Sequence, residues 1–116
     1  MTQLLYPEST AALARKRREL APEPLQAFKA FSAAVFAEGA LPAQTKQLIA
    51  VAVAHVTQCP YCIKGHTAEA LKHGASAQQI MEAIWVAAEM RAGGAYAHSA
   101  LALDAMQQHT HPGKGA

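Results

Sequence analysis

Aromatic residues and charge are both scarce in this 116-residue chain: Phe, Trp and Tyr make up 6% of it, and Asp, Glu, Lys and Arg 16%. The net charge of +2 is too small to argue for nucleic acid or a membrane surface as a partner. Long hydrophobic runs are missing as well. The longest, Leu48 to Ala54, falls far short of the roughly 20 residues a spanning helix needs. Met1 to Pro7 has neither the basic start nor the apolar stretch of a secretory signal, so a cytoplasmic location is the default expectation. No internal repeat and no domain boundary is visible. Cysteine occurs only twice, and in a reducing compartment such a pair is catalytic, redox-sensing or metal-binding before it is a structural staple.

What the chain has in abundance is alanine, which accounts for nearly half of an apolar fraction of 52%. Alanine is the strongest helix former and lets helices approach closely. A single all-α domain with a thin core follows, one that completes its burial by oligomerising. The punctuation suits helices throughout. Pro24 fits a first turn, and Leu25, Phe28, Phe31, Ser32, Val35 and Phe36 follow at helical spacing up to a stop at Gly39. Pro42 starts the next helix, Gln44 to Val56, which is apolar almost all round and so buried in the core or in a subunit contact. Alternating Ala and Val at 48–56 could also make a strand, but nothing else in the chain offers it a partner. A helix from Cys59 to about His73 ends at Gly74, and Ser76 with Gln79 forms a capping box for another that runs to a break at Gly93-Gly94. A last helix is expected over 95–108. Residues 1–40 read as an N-terminal helical segment of the same domain, 41–108 as its core, and 109–116 as a disordered tail. The run Arg15-Lys16-Arg17-Arg18 reads as a solvated helix face.

The chemistry concentrates in Cys59-Pro60-Tyr61-Cys62, with His66 one turn later. With Cys59 at or next to the N-cap and Pro60 in the first turn, Cys62 faces free backbone N–H groups and the positive end of the helix dipole. Both stabilise a thiolate, so the expectation is a lowered Cys62 pKa. His66, at i+4 from Cys62, can take the thiol proton or hold the thiolate. Cys59 can attack an oxidised Cys62 to close a disulfide. Other meanings stay open. The cysteines could be small apolar packers, or His55, Cys59, Cys62 and His66 could form a tetrahedral zinc set, although all four would lie within twelve positions across a helix junction. The letters C-P-Y-C resemble the glutaredoxin active site, but that fold requires a strand before the motif and a later cis-proline. No proline lies between Pro60 and Pro112.

The stretch from Leu41 to about Met106 resembles the carboxymuconolactone decarboxylase superfamily, and within it the alkyl hydroperoxidase D-like branch. The residues that carry the resemblance are Leu41-Pro42-Ala43-Gln44-Thr45-Lys46-Gln47-Leu48-Ile49-Ala50, Cys59 to Thr67, Ala70-Leu71-Lys72-His73-Gly74-Ala75 and Ala92-Gly93-Gly94. The resemblance implies an all-α fold of about five to six helices, assembly into homotrimers or homohexamers, no cofactor, and reduction of hydroperoxides by a dithiol/disulfide cycle. It implies Cys62 as the peroxidatic cysteine, Cys59 as its resolving partner and His66 as the relay, with a lipoylated protein or other dithiol as reductant. One departure stands out. The family usually carries a glutamate twelve residues before the first cysteine, and here that position is Gln47. Gln can hold a hydrogen bond but cannot accept a proton. Either Glu82 or Glu89 replaces the acid, or the relay is weaker; the bland alternative is that Gln47 is a solvated first-turn residue. His55 and Tyr61 are candidates for the site's surroundings, whereas Tyr96 and His98 are expected to pack or face solvent. The decarboxylase chemistry that names the superfamily needs no cysteine pair, and a zinc-stabilised or redox-sensing assembly module is the non-enzymatic rival.

Overall fold

The computed structural model describes residues 5–110, and every regular element in that span is an α-helix. In chain order these are α1 (Ala11–Leu20), α2 (Pro22–Phe36), α3 (Ala43–Thr57), α4 (Pro60–Lys72), α5 (Ala77–Ala97) and α6 (Ser99–Thr110). The starts follow local chemistry. Thr10 caps α1 through Leu13 N–H, Pro22 enters α2 in its first turn, and Pro42 is the N-cap of α3. Ser76 and Gln79 make the reciprocal bonds of a capping box at α5. Gly74, at φ 88°, takes the left-handed position after α4 and frees Ala75 N–H to bond back to Ala70 C=O.

The core lies between α3, α4 and α5. Val51, Ala70, Ala75 and Ile80 are buried together, with Leu48 and Ile84 packed against them. It is the thin, alanine-rich core that the composition predicts, and Val51 is its largest fully buried side chain. Helices α1, α2 and α6 contain no buried residue at all. The basic run on α1 is exposed accordingly.

Two boundaries differ from the sequence reading. Helix α5 passes through Gly93-Gly94 without a break and ends only at His98. Each glycine costs a helix about 1 kcal/mol relative to alanine, which the surrounding alanines and the capped start of a 21-residue helix offset. Helix α6 also extends through His109 and Thr110; the rest of the expected tail lies outside the described residues. Among the described residues no helix is long and apolar enough to cross a membrane.

Candidate active site

The site is built where α3 ends and α4 begins. Gln58, the C-cap of α3, adopts a left-handed backbone at φ 60° and ψ 46°, and its N–H and that of Cys59 both bond to Ala54 C=O. For a residue with a Cβ this conformation costs roughly 1–2 kcal/mol. It turns the chain within one residue, so that Cys59 is the N-cap of α4, with Pro60 in the first turn. The Cys62 N–H then donates to Cys59 Sγ at 3.3 Å. Both sulfurs are free thiols and both residues are half-buried.

This geometry reverses the expected order of acidity. The hydrogen bond from the Cys62 side chain lowers the Cys59 pKa, and the Cys62 backbone N–H lowers it further. Cys62 is raised, first by holding its proton in the bond to Cys59 and then by burial. The free N–H of the first turn points at the capping sulfur, and Cys62 supplies that N–H. Of the two thiols, Cys59 is therefore the one that loses its proton more readily.

Cys62 and His66 line one cavity of about 420 Å³, walled by Val35, Phe36, Ile49, Ala50, Val53 and Ala54, with Lys46 and Thr57 completing the lining. The Phe36 ring lies over the His66 imidazole, with centroids 5.1 Å apart and planes at 25°. His66 Nδ1 is 2.8 Å from Gln47 Oε1. Because an amide oxygen only accepts, His66 carries its proton on Nδ1, and Nε2 is the ring nitrogen left with a lone pair. Gln47 is 5% exposed, which overturns its reading as a solvated residue: it is the buried orienting partner of the histidine.

The other candidates are placed elsewhere. Glu82 and Glu89 are exposed on α5, and neither bonds to His66, so neither supplies the missing acid within the chain. His55 Nδ1 pairs with Val51 C=O at 2.7 Å. The zinc set is not assembled, since no three His, Cys, Asp or Glu side chains converge among the described residues. Tyr61 turns away from the cavity; its hydroxyl donates to Pro7 C=O at 2.6 Å, and its ring meets Tyr6 edge-on. Tyr96 is exposed, as is His98.

Three contributors escaped the sequence reading as site residues: Phe36, Lys46 and Arg91. Lys46 Nζ donates to Val35 C=O at 2.8 Å and Ala37 C=O at 2.6 Å, fastening the C-terminal end of α2 beside the cavity. Arg91 Nη1 donates to Val56 C=O at 2.6 Å, fastening α5 to the end of α3. Only the position of Lys46, next to Gln47, offered a signal.

An all-helical chain with a cysteine pair at a helix start and a histidine one turn on defines a class, and comparison with known proteins names it. The model of the carboxymuconolactone decarboxylase family matches residues 22–105. The chain belongs to that family. It is 56% identical over 108 residues to uncharacterized protein 4 in the cox locus of Paracoccus denitrificans, covering 93% of this chain and 96% of that protein. A crystal structure of a carboxymuconolactone decarboxylase family protein from Legionella pneumophila superposes with a TM-score of 0.67 at 32% identity, over 86% of this chain and 89% of the other. A protein of Methanobacterium thermoautotrophicum gives 0.68 at 38% identity, over 72% and 93%.

Proposed function

We propose that the protein is a thiol-dependent hydroperoxide reductase of the alkyl hydroperoxidase D-like kind. The observation that carries this reading is the sharing of one apolar cavity by Cys62 and His66, with Cys59 hydrogen-bonded to Cys62 from outside it. Because the Cys62 pKa is raised, this thiol needs a base, and His66 Nε2 is the nitrogen available. The Cys62 thiolate attacks one peroxide oxygen, the O–O bond breaks, and the departing alkoxide takes the proton His66 received, giving Cys62 sulfenic acid and an alcohol. The Cys59 thiolate then attacks the Cys62 sulfur. The S–O bond breaks, the departing hydroxide takes a proton from solvent and leaves as water, and the disulfide closes. An external dithiol, of lipoyl type in this proposal, restores both thiols by two exchanges and is itself oxidised to a disulfide.

A cytoplasmic location and assembly as a homotrimer or homohexamer belong to the same proposal, with the half of the fold lacking buried residues as support for assembly. So does the division into an N-terminal segment, 1–40, and a core, 41–108.

The test is peroxide consumption with a lipoyl-type dithiol. Cys62→Ser is expected to abolish it, and Cys59→Ser to leave one turnover that ends in a trappable sulfenic acid on Cys62. Equal activity in wild type and Cys62→Ser would end the reading. The lowered Cys59 pKa favours a second reading, dithiol–disulfide exchange begun by Cys59. In that case Cys62→Ser, given a small disulfide, accumulates a mixed disulfide on Cys59 at a pH below the usual thiol range. Loss of two thiols on peroxide treatment, reversed by dithiol, separates either from a decarboxylase or a zinc module.

A further inference from the structure

We infer that the cavity takes an apolar molecule carrying a carboxylate, held by Lys46. The inference deepens the peroxidase reading, which it needs only for the reacting end of the molecule. A cavity of about 420 Å³ falls in the range of small-molecule sites and has room for at least about ten carbons. Hydrogen peroxide would leave most of it empty, and the walls are Val, Phe, Ile and Ala, which gain nothing from a small polar guest.

Within this apolar lining Lys46 is the one permanently charged side chain. It is half-buried, and two of its N–H groups are spent on the carbonyls of Val35 and Ala37. An ammonium has three donors, so one remains. No carboxylate among the described residues pairs with it; the ion pair found there is Lys72–Glu69. A cation already partly desolvated, anchored at a fixed place and lacking a counter-ion, recognises an anion at less entropic cost than a free surface lysine. The remaining polar lining, Cys62, His66 and Thr57, supplies no second charge of either fixed sign. The molecule that satisfies the cavity thus has an aliphatic body of about ten carbons, an anionic head at Lys46 and its reactive group at Cys62.

The probes are decanoate and decanol, titrated calorimetrically into the intact reduced protein. Decanoate is expected to bind about tenfold or more tightly, the size of one charge-assisted hydrogen bond, and its advantage should shrink as salt is raised. Lys46→Arg should keep the preference and Lys46→Gln should remove it. Equal binding of the two probes by wild type overturns the inference, as does a preference unchanged in Lys46→Gln. Should Lys46→Gln lose its fold, the wild-type salt series and Lys46→Arg decide. Turnover separates this inference from the function it deepens. A decanoate preference without consumption of any hydroperoxide removes the peroxidase and leaves the cavity's assignment standing. Equal consumption of a carboxylate-bearing hydroperoxide and its methyl ester removes the assignment and leaves the peroxidase.

Discussion

Gln47 is the residue on which the proposed proton relay turns. Its oxygen fixes His66 in the tautomer that leaves Nε2 able to accept a proton, but a neutral amide adds no charge to hold the imidazolium once it forms. Gln47→Glu is expected to raise peroxide turnover and to move its pH profile; turnover and profile both unchanged would show that the amide serves packing alone. Gln47→Ala should lower thermal stability by about 1 kcal/mol, because a half-buried imidazole N–H loses its partner. The cysteines teach a related lesson. Position in the first turn made Cys62 look like the activated thiol, yet the capping residue collects the N–H, and that residue is Cys59. The motif was readable in the sequence; the direction of the hydrogen bond between its members was not, because it depends on which sulfur sits at the N-cap.

The helices were readable wherever a residue has one dominant local role. Pro42, the Ser76–Gln79 capping box and Gly74 all mark termini where expected. The reading failed at Gly93-Gly94, where a local penalty of about 1 kcal/mol per glycine is smaller than the propensity of the alanines around it. It failed again at Gln58, whose left-handed turn carries no glycine to announce it. The contacts of Lys46, Arg91 and Phe36 span elements, so no window of sequence contains them. Gly94 also gives a test. A Cβ built there meets nothing within 4 Å, so within one chain Gly94→Ala should stabilise the protein by up to about 1 kcal/mol. If thermal denaturation shows destabilisation instead, another surface approaches α5 closely at that point, and the glycine exists for that contact.

The molecule as a whole is too extended to be a finished globule. Its radius of gyration is 20.8 Å and its longest dimension 62 Å, against about 13 Å for the radius of a compact domain of about 100 residues. Phe28, Phe31, Trp85, Val86, Met90 and Leu101 are each more than half exposed. Helices of 10–15 residues without buried side chains are marginal in water, so self-association is the expected source of their stability. Light scattering at micromolar concentration should report a mass of at least three chains. Trp85→Glu should reduce that mass and the melting temperature together, and a wild-type monomer would refute the assembly. Phe36, a wall of the cavity and the ring over His66, belongs to α2, which buries none of its own residues. Under the proposed function and assembly, the cavity is only as well formed as the association that covers this arm. Rate per chain becomes a function of protein concentration, falling on dilution with an order above one, whereas an enzyme complete in a single chain keeps a constant specific activity.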